Sequence, residues 1–361
     1  MTLLPLPSTR DEAWRWSDLS ELPALAEARP SGRARSVEEL WIDLAGPRLL
    51  FVDGVFDASR SNPGPAAIGP ADARAGAHAL GRLAGTKGWK LTLGRDAACD
   101  PIQIVHVASG GANHVAAEIA LEEDAAACIV ETFAGEGWAN RAASIRLARS
   151  ARLMAARRFL HESGFQSCAD TAEIGQGASL VTTALAGGAA DTRLDGHLTL
   201  AGIEAFAEAG GALLARGRQR HDAAFVVRHE AACGQSRQLW RAVAEDRSVC
   251  SVAARIEVAR DAQKTDGEQS LRGLLITRGA TVNLKPELEI FADDVKCGHG
   301  ATVGELDRAA LFYLASRGVP PAEARAILTR AFVADALARI GADAVREAFA
   351  ATAERWLGDA A

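Results

Sequence analysis

Residues 271–300 read LRGLLITRGATVNLKPELEIFADDVKCGHG, and short apolar runs in this stretch alternate with turn-forming residues. The runs cover 274–276, 281–284 and 288–290, the next begins at Val295, and their starts lie about seven residues apart. This spacing predicts short strands with a corner every six or seven residues or so, as in a β-solenoid whose stacked coils bury aliphatic side chains. An ordinary β-sandwich is compatible with the same periodicity and stays open on this pattern.

Similar apolar runs, rich in Val, Ile, Leu and Thr, extend over about residues 101–300. No long helical pattern interrupts them, which excludes an alternating βαβ fold. The Ala-rich stretch 200–214 could be mistaken for a helix, but Gly202, Gly210 and Gly211 weaken that interpretation. The middle of the chain is therefore predicted to be mainly β.

Helical patterns flank this β region on both sides. Near the N-terminus, Trp14 and Leu22 lie at helical intervals, and the run 49–57, LLFVDGVFD, predicts a hairpin around Asp53-Gly54. We divide the chain into an N-terminal helical domain with a small hairpin (1–98), a β core (99–300) and a C-terminal helical domain (301–361).

Three amphipathic helices are predicted after residue 304. Gly318 and Pro320 separate the first from the second. Three short helices cannot bury all their apolar surface among themselves, so at least one face should dock on the β core or on another protein. The predicted stripes are Leu306, Ala310, Tyr313 and Leu314; Ile327, Ala331, Phe332 and Leu337; and Val345, Phe349, Ala353 and Trp356.

Composition excludes several classes of protein. With 361 residues, 48% of them hydrophobic and 24% charged, the chain is typical of a folded protein with more than one packed unit. Its net charge of -6 argues against nucleic acid and anionic membranes as partners. The N-terminus lacks a basic segment before its apolar start, and the six cysteines form no CxxC pair. We therefore expect a cytoplasmic protein with reduced thiols.

Motifs for nucleotide binding and hydrolysis are absent or incomplete. Gly85-Thr86-Lys87-Gly88 lacks the spacing of a P-loop, and Gly175-Gln176-Gly177 has no βαβ context. His229-Glu230-Ala231-Ala232-Cys233 resembles HExxH, but Phe225-Val226-Val227 before it predicts a strand, on which these positions do not share a face. Only a weak metal-site prediction remains there.

The segment 293–300, DDVKCGHG, carries the strongest chemical signal. Cys297 and His299 are two residues apart, so on a strand they project from one face and could reach one metal ion or cluster. They supply only half a site, and further ligands would have to come from a distant segment or a partner. A buried thiol and a hydrogen-bonded histidine explain the same spacing.

Several long strings of the sequence resemble the SufD proteins of the SUF iron–sulfur cluster assembly machinery, within the SufB/SufD family. The match is weaker toward the N-terminus, at 236–239, 106–109 and 12–16, so it covers most of the chain. The strings are 261–266 (DAQKTD), 285–290 (KPELEI), 293–304 (DDVKCGHGATVG) and 311–318 (LFYLASRG).

This resemblance implies a right-handed parallel β-helix core between N-terminal and C-terminal helical domains. It also implies a scaffold rather than an enzyme, which pairs with SufB through the β-helix and binds the SufC ATPase through the C-terminal helices. The helix residues implied at the SufC contact are Leu306, Leu311, Phe312, Tyr313, Leu314 and Arg317.

The resemblance further implies that His299 lies at the SufB interface as a ligand for iron or a nascent cluster shared with SufB. Cys297 is either a second ligand or a buried thiol. No permanently bound cofactor is expected, and a homodimer can form when SufB is absent.

The alternative to a scaffold is a stand-alone β-helix metalloenzyme that uses Cys297 and His299. A carbohydrate-active site at Asp293 and Asp294 is disfavoured because adjacent strand residues face opposite sides.

Overall fold

The computed structural model describes residues 6–32, 36–73 and 78–358. Its body is a solenoid of about 8 coils with helices at both ends. The strands are β1 (Arg48–Val52), β2 (Val55–Phe56), β3 (Ala66–Pro70), β4 (Lys87–Leu93), β5 (Ile102–Leu121), β6 (Ala126–Leu147), β7 (Arg152–Ile174), β8 (Ser179–Ala186), β9 (Asp191–Leu200), β10 (Phe206–Ala215), β11 (Arg220–His229), β12 (Gln235–Ala244), β13 (Val249–Val258), β14 (Asp266–Leu275), β15 (Thr281–Ile290) and β16 (Lys296–Glu305). The helices are α1 (Leu22–Glu27), α2 (Arg308–Ser316), α3 (Pro321–Leu337) and α4 (Asp343–Gly358).

Successive strands alternate between two faces of the solenoid. Strand β7 belongs to both faces. From it, one face continues in the order β9-β11-β13-β15, and the other continues in the order β8-β10-β12-β14-β16. All these neighbours are parallel: Phe206 pairs with Gln235, Gln235 with Asp266, and Asp266 with Lys296. One coil therefore takes about 30 residues. The predicted parallel β-helix is confirmed, and the β-sandwich alternative is excluded.

The predicted strand lengths in the last coils are wrong. The runs 281–284 and 288–290 both lie in β15, which continues straight through Lys285 and Pro286. Proline is tolerated there because β15 is the last strand of its face and has a partner on one edge only. The Ala-rich stretch, in contrast, contains strand β10 as predicted.

The predicted hairpin and short helices near the N-terminus are present within the described residues. β1 and β2 form an antiparallel hairpin in which Asp53 and Gly54 both have positive φ angles, of 49° and 73°. This is the backbone that a two-residue turn of the Asp-Gly type requires. β1 also pairs in parallel with β5, so the hairpin joins the first coil. Short helical turns at 12–14 and 38–40 accompany α1.

Helices α3 and α4 pack against the side of the solenoid. The third predicted stripe is confirmed, because Val345, Phe349, Ala353 and Trp356 are buried. The second stripe is partly wrong: Ala331 is exposed, and α3 buries Val333 and Leu337. These two side chains join a cluster that includes residues of β7, β8, β10 and β12, so contact with the solenoid sets the buried face of α3.

The interior of the solenoid combines an aromatic stack with an ionic cluster. The rings of Phe51, His106, Phe133 and Phe159 stack in sequence, with centroid separations of 5.2, 4.4 and 5.0 Å. Beside them lies the ionic cluster of Glu131, Arg141, Arg157 and Asp170, all of them buried. In-register pairing of parallel strands places such residues above one another from coil to coil.

The ionic cluster compensates its charges internally. Arg157 Nε donates to Glu131 Oε2 at 2.9 Å, and Arg157 Nη1 pairs with Asp170 Oδ2 at 2.8 Å, while Arg141 contacts both carboxylates. Burial opposes ionisation of Glu131, but the guanidinium group of Arg141, with smaller contributions from His106 and Arg157, outweighs it and holds the pKa of Glu131 well below its usual range. Glu131 is therefore one of the two anions that compensate the buried Arg141 and Arg157.

We expect Glu131→Gln to destabilise the fold by about 3–5 kcal/mol, because it leaves two buried guanidinium groups with too little negative charge. Urea denaturation monitored by circular dichroism measures this loss. Glu123→Gln is the matched control, since Glu123 pairs with the exposed Arg95 and Arg149 and should cost less than about 1 kcal/mol. Equal small losses in the two variants would contradict a structural role for the cluster.

Within the described ranges, no helix combines the length and apolar character needed to cross a bilayer.

All six cysteines lie in the described ranges and are free thiols, in agreement with the absence of CxxC pairs in the sequence. Cys168 is buried beside the ionic cluster, and burial raises its pKa to about 12 although Arg141 and Arg157 oppose this shift. A thiol of this kind is inert at neutral pH.

Candidate functional site

The end of the solenoid is formed by β15 and β16, the last strands of the two faces. Each pairs with an earlier strand along one edge, and no other strand of the described chain covers the opposite edge. Both therefore present unpaired backbone donors and acceptors. We call β15, β16 and residue 291 the open end.

Cys297 and His299 lie together on one face of β16. In the ladder with β14, Cys297 pairs with Gly267 and His299 with Gln269, and both β14 residues are buried. Because paired residues of parallel strands share a face, both side chains of β16 are directed toward the interior of the last coil. The two candidate ligands are thus brought together as their spacing predicts.

The surroundings of these two side chains differ. Cys297 packs against an apolar cluster that contains Ile256, Val258 and Ala292, and burial raises the pKa of its thiol. His299 is exposed, because no further coil lies over it. Cys297 is therefore held as a half-buried thiol, while the His299 imidazole can be reached from outside the chain.

The open end holds too few ligands for a complete metal site. Across the described ranges, no group of three or more His, Cys, Asp and Glu side chains is close enough to hold a metal ion. Asp293 and Asp294 lie in the bend before β16, where both are exposed. The backbone N–H of Asp294 donates a hydrogen bond to Gln263 Oε1 at 3.0 Å. Any metal bound through His299 would need ligands from another molecule.

Apolar side chains are exposed at the same end of the solenoid as His299. Ile290 and Phe291 at the end of β15 and Val303 on β16 are all exposed, Phe291 to 62%. Exposed apolar side chains beside free strand edges are typical of a protein interface. The sequence analysis missed Phe291 and Val303. It ended the β core at residue 300, before Val303, and the exposure of Phe291 becomes visible only in the assembled coil.

Helix α2 follows β16 after only two residues, Leu306 and Asp307. The Asp307 carboxylate caps the helix by accepting the Ala309 N–H at 2.8 Å. Leu306 is partly buried against the cluster of α3 and α4. This connector is ordered at both ends, by the ladder of β16 and by the helix cap.

The exposed side of α2 carries two aromatic rings. Phe312 is 76% exposed and Tyr313 58%, and the guanidinium carbon of Arg317 lies 5.3 Å from the centre of the Tyr313 ring. Leu311 and Leu314 are half-buried on the opposite side. We call Phe312, Tyr313 and Arg317 the α2 surface. Of the first predicted stripe, Tyr313 lies on this surface, whereas Leu306, Ala310 and Leu314 are half-buried.

The HExxH-like segment is not a site. His229 is the last residue of β11 and is fully buried, with Nε2 2.9 Å from Ser236 Oγ. Burial lowers its pKa to about 4. Cys233 lies in the following turn with a φ angle of 61°, and no helix spans these positions. The predicted strand geometry thus removes this candidate.

Comparison with known proteins gives a consistent result. A family profile described as "SUF system FeS cluster assembly, SufBD core domain" matches residues 104–332. The iron–sulfur cluster assembly protein SufD of Escherichia coli (strain K12) is 42% identical over 109 residues, which are 30% of this chain and 26% of that protein. SufD of Bacillus subtilis (strain 168) is 28% identical over 166 residues, 46% of this chain and 38% of that protein.

A longer alignment is found with an iron–sulfur cluster assembly SufBD family protein of Synechocystis. It is 27% identical over 385 residues, which cover 93% of this chain and 84% of that protein. The chain thus aligns with most of the cyanobacterial protein, but with only about a quarter of the E. coli protein. Similarity is therefore strongest over a limited segment and weaker over the whole length.

We expect diethyl pyrocarbonate to acylate His299 much faster than the buried histidines, because His299 is exposed. Mass spectrometry of peptides from briefly treated protein measures the rate at each histidine. His197, which is also exposed, is the internal reference, and the buried His221 and His229 should stay unmodified until the protein unfolds. Protection of His299 in the isolated chain would show that its ring is covered.

Proposed function

The chain belongs to the SufBD family of the SUF iron–sulfur cluster assembly system, as the match over residues 104–332 shows, and we propose that it acts there as a SufD-type scaffold. In this role it pairs with SufB, binds the SufC ATPase and contributes one ligand to a cluster assembled between subunits. The observation that carries the proposal is the exposed His299 at the open end of the solenoid.

Pairing with SufB uses the open end. The free edges of β15 and β16 offer backbone hydrogen bonds, and Ile290, Phe291 and Val303 add apolar area that a partner can cover. A second copy of this chain presents the same edges, so a homodimer forms through the same surface when SufB is absent. The paralogue and the second copy then compete for one surface.

His299 provides one ligand to an iron ion or nascent cluster, which is cargo and not a resident cofactor. Imidazole binds ferrous iron readily, and a site split between two subunits can open when either one moves. The remaining ligands come from SufB, since the described part of this chain holds no complete set. Cys297 is the weaker ligand candidate, because its thiol is partly buried and its pKa is raised.

SufC binds the α2 surface. Exposed aromatic residues next to an arginine are the side chains that most often dominate binding energy at protein interfaces. Phe312, Tyr313 and Arg317 provide this combination on one helix, close in sequence to His299. Leu306, Leu311 and Leu314 are at least partly buried and support α2 from beneath.

The alternative of a stand-alone metalloenzyme has less support. Catalytic zinc sites in proteins use three protein ligands and keep a position open for water. Cys297 and His299 supply two, one of which is half-buried. The proposal is therefore a scaffold without turnover of its own.

We expect His299→Ala to lower the cluster content of the co-purified complex by at least about tenfold, as loss of a metal-site residue commonly does. Iron and acid-labile sulfide per complex measure the content. Recovery of SufB and SufC should be unchanged, because the substitution removes a ring and leaves the strand edge intact. His197→Ala, on β9, is the control with an exposed histidine elsewhere. An unchanged cluster content would reject the ligand role.

We expect the double variant Phe312→Ser/Tyr313→Ser to weaken SufC binding by at least about 2 kcal/mol, or about thirtyfold, because both rings are exposed anchors. Surface plasmon resonance with immobilised SufC measures the affinity, and the circular dichroism spectrum should not change. Ile203→Ser, at an exposed turn residue, is the apolar control. Retained affinity would place the SufC contact on another face.

A further inference from the structure

A cleft of about 560 Å³ lies between the side of the solenoid and the last turn of α4. Its walls come from β7, from the turns after β8 and β10, from the segment at Glu39 and Leu40, and from α4. Three guanidinium groups line it, those of Arg158, Arg216 and Arg355. We call it the arginine cleft. It shares no residue with the open end or the α2 surface.

Arg158 is 4% exposed, yet it contacts only neutral acceptors. Its Nε and Nη2 donate to Thr132 Oγ1 at 3.2 and 3.0 Å, and Nη2 also donates to the Leu40 carbonyl oxygen at 2.7 Å. No carboxylate in the described ranges forms an ion pair with it. The buried Arg141 and Arg157, in contrast, are both paired with Glu131 and Asp170. A buried guanidinium without an anion is unusual, because neutral acceptors and the Phe349 ring, whose centre lies 5.7 Å from the guanidinium carbon, offset the desolvation of the charge less than a carboxylate does.

The charge of Arg158 is also disfavoured by its neighbours. Burial, together with repulsion from Arg355, lowers the pKa of Arg158 to about 10. Arg355 is exposed at the mouth of the cleft and donates to Thr352 Oγ1 at 3.2 Å. An anion between these two arginines would offset both effects.

Arg216 adds donors that lack partners. Its guanidinium carbon lies 4.2 Å from the centre of the Trp356 ring, and one Nη donates to the Trp356 carbonyl oxygen. Arg216 Nε and the indole Nε1 of Trp356 are buried and have no hydrogen-bond partner among the described residues. Buried donors without partners are rare in folded proteins, so hydrogen-bond acceptors are in short supply at this wall of the cleft.

One carboxylate, that of Glu39, is among the described residues that line the cleft, and it makes interactions of its own. Three guanidinium groups therefore exceed the acidic lining by two positive charges. This excess matches a phosphate group, which carries a charge of about −1.5 to −2 at neutral pH, better than a single carboxylate. The planar guanidinium fork also fits phosphate oxygens.

We propose that the arginine cleft binds a phosphate-bearing small molecule. Its volume lies in the range of about 300–1,000 Å³ that is typical of small-molecule sites. The phosphate accepts hydrogen bonds from Arg158 deep in the cleft and from Arg355 at its mouth. Because the bound molecule bridges β7 and α4, it fastens the C-terminal helices to the solenoid. The proposal is independent of the proposed scaffold function.

Isothermal titration calorimetry of the full chain with inorganic pyrophosphate tests the proposal, with acetate at matched ionic strength as the monoanion control. We expect saturable 1:1 binding of pyrophosphate and none of acetate. Arg355→Ala should weaken binding at least about tenfold, because one charge-assisted contact is lost from an exposed position. Arg308→Ala, an exposed arginine on α2, should leave binding unchanged.

Absence of saturable binding, or an equal loss of affinity in Arg355→Ala and Arg308→Ala, would overturn the proposal, since an equal loss indicates general electrostatic attraction.

A second measurement uses thermal unfolding. Pyrophosphate should raise the unfolding temperature of the unaltered chain and fail to raise that of Arg158→Met. If Arg158→Met does not fold, the pyrophosphate affinities of Arg355→Ala and Arg308→Ala still show whether the cleft is the binding site. Comparison of pyrophosphate with ADP then separates recognition of phosphate alone from recognition of a nucleotide.

Discussion

Hydrogen bonding between coils is the constraint on which this structure depends. From β8 to β14, each strand satisfies its backbone donors and acceptors through the strands of the coils on either side, and the paired strands stay in register. The last coil cannot do this on both edges. The end formed by β15 and β16 therefore presents backbone groups without a strand partner, and the sequence places His299 and the exposed apolar residues Ile290, Phe291 and Val303 on it.

Inside the solenoid the same register controls electrostatics. Glu131 on β6 is paired with Arg157 on β7, so their charges lie one above the other and compensate each other away from water. Arg158 is the next residue along β7 and points to the other side of the sheet, where the described chain supplies no anion. Two neighbouring arginines on one strand thus differ completely in how their charge is balanced, and this contrast distinguishes the ionic cluster from the arginine cleft.

Local patterns predicted much of the fold and only part of the function. Asp53-Gly54 fixed its hairpin, because that turn depends on two residues, and the apolar stripe of α4 appeared as expected. The predicted length of the strand around Pro286 was too short, because proline usually indicates a turn. Proline is tolerated on an edge strand, but only the assembled sheet shows which strand is an edge. The spacing of Cys297 and His299 placed both on one face of β16. The arginine cleft could not be found, since Arg158, Arg216 and Arg355 are brought together only by the winding of the chain and the docking of α4.

The connector between β16 and α2 has a mechanical consequence. Two residues, Leu306 and Asp307, span at most about 7 Å when fully stretched, so they provide almost no slack between strand and helix. A pull on α2 that exceeds this reach must either peel β16 away from β14 or drag the terminal coil along with it. In the first case the hydrogen bonds between Glu305 and Leu275 break first and those beside Cys297 last, and in the second the coil that carries His299 moves as a unit.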